Sequence, residues 1–198
     1  FNKIIKKNNL RVVDVNFNEI NGGSIEITCA KKDSQHKINE QKISNVLSEE
    51  QRINNKTYIQ FNHRINNVKK VINLFLNEFA KKKIIGYGAS TKGNIVLNHC
   101  EISSKQLKFI CDANSEKHGK YTPGSNIKII SKEMMRKLKP DYLFVLIWSF
   151  RSEVIKQEEE YIKNGGKLIF HLPMFHIVDK DNYKAFLKED FKSFAYKV

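Results

Sequence analysis

The chain has no long apolar run. Its longest, Tyr142-Leu-Phe-Val-Leu-Ile-Trp148, has the length of a strand, against the roughly 20 residues that a bilayer-spanning helix needs. No signal peptide is read either, so the expected localisation is cytoplasmic, with no membrane partner. Cysteine is scarce. Cys29, Cys100 and Cys111 make an odd count with no C-x-x-C pair, which argues against a disulfide framework and against a zinc site built from cysteine alone. Buried free thiols are the expectation. Long basic runs are missing as well: the net charge is +14, but the lysines are scattered in twos and threes among abundant Asn and Ile, a bias that AT-rich genomes impose. The aromatic residues fall in strand-like or amphipathic runs rather than on a base-stacking platform, so dedicated nucleic-acid binding is disfavoured. Part of the charge remains available to attract anionic substrates.

What is present is ample for a core: 198 residues with ordinary apolar content make one sizeable domain or a domain with an appendage. Residues 1–9 pattern as an amphipathic helix with Phe1, Ile4 and Ile5 on one face, followed by alternating strands at 11–17 and 24–29 joined through Asn21-Gly22-Gly23. This segment lacks the apolar mass for a core of its own. Residues 31–39 read as a polar linker, and 43–79 as one long helix or two joined ones. From Lys83 onward strand and helix alternate: strands at 84–87, 107–111, 127–130, 142–147 and 167–171, helices at 92–100, 132–137 and 152–163. Tyr183, Phe186, Leu187, Phe191 and Phe194 mark a last helix. Repeated β-α-β units predict an α/β fold with a Rossmann-like, mostly parallel sheet flanked by helices, and ligands at the carboxyl ends of its strands. A long helical segment and a small N-terminal helix and strand pair precede it. The expected divisions are 1–30, 31–80 and 81–198.

The most informative stretch is Gly86-Tyr-Gly-Ala-Ser-Thr-Lys-Gly-Asn94, a glycine-rich turn between an apolar strand and a helix. Such a junction presents backbone N–H groups and a helix N-terminus, which favour an anion. It is not a P-loop, because Asn94-Ile95 stand where Lys and Ser or Thr are required. Nor is it a full dinucleotide fingerprint, because Thr91 takes the third glycine's place. Asp112, at the end of the next apolar run, stands where a Rossmann unit carries its ribose-binding acid. A purely structural tight turn is the alternative.

These residues resemble the C-terminal part of the S-adenosylmethionine-dependent sugar C-methyltransferases, which branch deoxysugars attached to a nucleoside diphosphate. The resemblance is carried by Leu10-Arg-Val-Val-Asp-Val15, Gly22-Gly-Ser24, the 86–94 turn, Cys111-Asp-Ala-Asn114, Lys117-His-Gly-Lys-Tyr-Thr-Pro-Gly124, Pro140-Asp-Tyr142, Trp148-Ser149 and Gly165-Gly166, in register over nearly the whole chain. It implies that residues 1–30 are the end of a methyl-donor-binding domain, and that residues 81–198 hold the nucleotide-sugar. The family's zinc-binding N-terminal domain, its donor glycine loop and its Tyr-His-Glu-His-like acid/base stretch precede the matched segment. No catalytic residue, S-adenosylmethionine site or metal site is therefore expected in these 198 residues.

The implied substrate-binding residues are Gly86, Gly88, Ala89, Ser90, Thr91, Lys92, Gly93 and Asn94, with Lys92 on the diphosphate. Ser90 and Thr91 also suit plain helix caps. Asp112 is assigned to a hydroxyl of the sugar or ribose, or else to capping a turn with Asn114. Trp148 and Ser149 end the most apolar strand, where Trp148 stacks on a ring or simply packs. Tyr121 lies with His118 and Lys120 in a polar loop that reads as a lid or as plain surface. His171 and His176 are read as structural. The partners implied are a nucleoside-diphosphate sugar, and the missing methyltransferase domains or a second copy of the chain. Two alternatives stay open: a non-catalytic interaction domain, and a nicotinamide-dependent oxidoreductase, which lacks a Tyr-x-x-x-Lys here.

Overall fold

Alternating polarity places the first two strands: β1 (Leu10–Asn18) and β2 (Ser24–Lys31) pair antiparallel in a sheet of their own. Asn21, Gly22 and Gly23 connect them with three successive positive φ values, a conformation that glycine and asparagine tolerate best. In this computed structural model, which describes residues 1–18 and 20–188, the chain divides into two compact units, Phe1–His63 and Arg64–Val198. The first unit also holds α1 (Asn2–Lys7) and α2 (Glu40–Gln51). Asn39 caps α2 by accepting from the Lys42 N–H, and the Lys42 ammonium lies 3.3 Å from Asp14 and 2.7 Å from Asn16 on β1. The buried apolar side chains of this unit are few, Ile5, Val13 and Val15 among them.

The predicted helical stretch at 43–79 is two helices, because the chain breaks at 52–54 before α3 (Asn55–Glu78). In the second unit α3 buries Ile72, Phe75 and Leu76, spaced to lie on one helical face. There follow β3 (Ile84–Tyr87), α4 (Thr91–His99), β4 (Phe109–Cys111), β5 (Lys128–Ile130), α5 (Lys132–Leu138), β6 (Tyr142–Val145), α6 (Arg151–Gln157), α7 (Glu159–Lys163), β7 (Lys167–Phe170), β8 (His176–Val178) and α8 (Tyr183–Lys188). The sheet has the order β5-β4-β3-β6-β7-β8, parallel throughout except for β8. Helices cover both faces. Ile84, Ile110, Phe144 and Ile169 pack with side chains of α3 and α4, whereas Ile85, Tyr87, Leu143, Val145 and Phe170 pack with those of α5 to α8.

Three elements differ from their sequence expectation. The strand predicted at 142–147 ends at Val145, and Trp148–Phe150 form a 3-10 turn instead. The helix predicted at 152–163 is broken at Glu158, whose buried carboxylate lies 2.6 Å from Arg136 Nη1 and accepts the Tyr87 hydroxyl at 2.9 Å. The third is β8, an antiparallel strand that sequence reading passed over. In the predicted last helix, Phe186 and Leu187 pack on the α5–α8 side, while Phe191 and Phe194 lie outside the described residues. Of the cysteines, Cys100 and Cys111 are buried and Cys29 is partly exposed, and all three are free thiols.

Candidate functional site

Chain order fixes where a ligand finds a crevice in such a sheet. From β3 the chain moves outward to β4 and β5, then crosses back to β6 on the other side of β3, so the switch point lies at the carboxyl ends of β3 and β6. The glycine turn leaves β3 there. Opposite it, Ile147 and the Trp148–Phe150 turn leave β6.

Three glycines of the turn stand where a side chain would meet a neighbour closely. A side chain on Gly88, at φ +88°, would put its Cβ 2.6 Å from Ile147 Cγ2, and one on Gly93 would lie 2.8 Å from Leu146 Cβ. Gly86 similarly makes room for Ile110 of β4. Ser90 caps α4, its Oγ accepting the Gly93 N–H at 2.9 Å. Much of the turn's backbone is used internally: Gly88 N–H donates to Cys111 O, Ser90 N–H to Gly88 O and Asn94 N–H to Ser90 O. Thr91 and Lys92, which open α4, are both exposed. Of the expected binding residues 86–94, Gly86, Gly88, Ala89 and Gly93 are buried and Ser90 and Asn94 half-buried.

Asp112 is brought to the turn but faces inward. Its Oδ2 accepts the Ala89 N–H at 2.8 Å and lies 3.2 Å from Lys117 Nζ, while its Oδ1 accepts the Asn114 N–H at 2.9 Å. The turn-capping reading of Asp112 with Asn114 is the one the geometry realises. Lys117 also donates to Ala89 O at 3.0 Å. Lys117 opens one of the segments that carry the resemblance, but sequence reading did not select it as a site residue.

Trp148 and Ser149 are half-buried beside the switch point, and Trp148 packs against the side chains under α5 to α8. Tyr121 is not brought to the turn. It is exposed and bridges antiparallel to Lys128 of β5, the outermost strand. Its loop is fastened rather than hinged: Gly119 N–H donates to Ile129 O, Thr122 N–H to Ile127 O, and buried Thr122 and Ser125 share a hydrogen bond. His171 follows β7 and is fully buried, and burial pushes its pKa down to about 4. The nearby Val145 backbone opposes that shift only in part, short of good hydrogen-bonding geometry.

Two cavities of the second unit lie at the opposite, amino ends of the strands. One of about 640 Å³ is bordered by Arg136, Asp141, Gln157 and Gly166, and one of about 430 Å³ by Lys82, Lys83, Lys105 and Lys108. Lysines there suit helix C-termini, as Lys83 shows by donating to Leu138 O at the end of α5. Among the described residues no group of three or more His, Cys, Asp or Glu is placed to hold a metal ion, and no helix is long and apolar enough to cross a membrane.

A family model described as the C-methyltransferase C-terminal domain matches residues 19–173. The chain is 31% identical over 184 residues to the C-methyltransferase NovU of Streptomyces niveus, in an alignment that covers 90% of this chain and 44% of that protein. The chain thus spans less than half the length of its curated relative, and the matched region runs from β2 through the whole parallel part of the sheet. By that match the chain belongs to the C-methyltransferase C-terminal domain family.

Proposed function

We propose that residues 81–198 hold the nucleoside-diphosphate sugar of an S-adenosylmethionine-dependent sugar C-methyltransferase, with the diphosphate at the first turn of α4. The observation that carries this reading is the placement of the glycine turn, with exposed Lys92, at the switch point of the sheet. Gly86, Gly88, Ala89, Ser90 and Gly93 shape the turn. Thr91, Lys92 and Asn94 meet the phosphates, and Trp148 and Ser149 border the sugar end.

The methyl donor does not fit this turn. A ribose diol needs a carboxylate turned outward, and both oxygens of Asp112 are engaged with Ala89, Asn114 and Lys117. The same inward carboxylate, with Thr91 in place of the third glycine, weighs against a nicotinamide-dependent oxidoreductase. When bound in its own domain, the donor supplies an electrophilic methyl group; the residues here bind and orient the acceptor. Residues 1–30 belong to the end of that donor domain, and 31–80 form the connection.

Calorimetry with thymidine diphosphate tests the reading. The chain is expected to bind it, and Lys92→Ala to weaken binding about tenfold, the worth of one charge-assisted contact. If neither thymidine diphosphate nor another nucleoside diphosphate binds, the phosphate role is wrong.

A second reading, a domain for assembly, is favoured by one patch. Phe17 and Ile25 are cross-strand neighbours on β1 and β2, yet are 69% and 49% exposed. The methyltransferase domains or a second copy are the partners proposed for it. Light scattering after size exclusion checks this, and a clean monomer counts against self-association.

A further inference from the structure

We propose that Lys117 sets the charge of the glycine-turn site, and that Asp112 is its positioning residue rather than a ligand-binding acid; this rests on the reading of the turn given above. Lys117 closes the 3-10 turn Ser115–Lys117 after β4 and reaches back to Ala89. Its Nζ donates to Ala89 O at 3.0 Å and to Asp112 Oδ2 at 3.2 Å, and the same Oδ2 accepts the Ala89 N–H at 2.8 Å. Carboxylate and ammonium together therefore grip both backbone polar groups of a single turn residue. An ammonium has three donors. Two are used here, and the side chain is 38% exposed, so the third can meet an arriving anion.

The loop is wound to make this grip. Asn114 N–H donates to Asp112 Oδ1, Asn114 Oδ1 accepts the Glu116 N–H, and His118 Nε2 lies 2.9 Å from Asp112 O. The electrostatic consequence is direct. Asp112 by itself would set a negative charge, 11% exposed, beside a site meant for a diphosphate. Lys117 cancels that charge, so the carboxylate no longer opposes an arriving anion. A merely structural ion pair would instead affect the melting temperature and leave affinity alone.

The test is a charge-rescue cycle. The wild-type chain, Lys117→Met, Asp112→Asn and the double variant are titrated with thymidine diphosphate at low salt, with circular dichroism confirming that each folds. Lys117→Met is expected to weaken binding about tenfold or more. Adding Asp112→Asn should recover the part of that loss that the uncompensated carboxylate causes, while the part due to the direct contact of Lys117 with the anion stays lost. Acetylation footprinting of the wild-type chain needs no variant: thymidine diphosphate should slow labelling of Lys117. Unchanged affinity in Lys117→Met, no recovery in the double variant, or unslowed labelling under saturating ligand each overturns the proposal while the turn site stands. Failure of the wild-type chain to bind at all overturns the reading of the turn, and this proposal with it.

Discussion

His171 gives the sharpest test of how tightly the carboxyl end of the sheet is sealed. It is fully buried just after β7, its ring 5.3 Å from that of Phe144, and burial pushes its pKa from 6.5 down to about 4. In the unfolded chain the imidazole takes up a proton near its ordinary pKa; in the folded chain it stays neutral. Stability is therefore full above about pH 6.5 and is lost as the pH falls toward 4, because the unfolded state binds the extra proton. Each pKa unit is worth about 1.4 kcal/mol. At pH 5 roughly 1.5 units of the gap are in play, so His171 removes about 2 kcal/mol between pH 7 and pH 5. Urea unfolding at the two pH values, in the wild-type chain and in His171→Phe, isolates this contribution, since the two proteins differ at that residue alone. The variant is expected to lose about 2 kcal/mol less over that interval. Equal losses in the two proteins would refute the claim that His171 is sealed and neutral.

Gly88→Ala forces a side chain into a positive-φ position and drives its Cβ to 2.6 Å from Ile147 Cγ2. A cost of about 3 kcal/mol is expected from left-handed strain and overpacking together, and a melting temperature within a degree of wild type would contradict it. Tyr87 donates its hydroxyl to buried Glu158 at 2.9 Å, and burial first, then the Glu158 carboxylate, hold its pKa well above the usual phenol range. Tyr87→Phe removes a hydrogen bond to a charged group and should cost about 1–3 kcal/mol in denaturant titration; no change would mean that the Arg136 pairing suffices for Glu158.

The parallel sheet was legible because its signals are local. Ile84-Ile85 before a glycine pair defines β3 to the residue, and Tyr142-Leu-Phe-Val marks a strand buried on both faces. The break between α6 and α7 was not, since Glu158 turns on groups brought in from Arg136 and Tyr87. β8 is three residues long, too short for any period to show. At the candidate site the glycines, Ser90 and Lys92 were visible as a turn entering a helix. The cap of Asp112 on Asn114 was offered there as one of two readings, but its bond to the Ala89 N–H was not, because no side-chain pattern reports a backbone donor.

The lengths of the strands decide how either unit can join another chain edge to edge. The six-stranded sheet ends at β5 and β8, both three residues long, and β5 carries the 119–126 loop bound along it. Such short margins give an incoming strand almost nothing to pair with. β1 and β2, nine and eight residues long, each pair with a single strand among the described residues. Among the described residues, the longer edges open to a neighbouring strand are therefore those of the N-terminal pair, and the parallel sheet offers only its short margins.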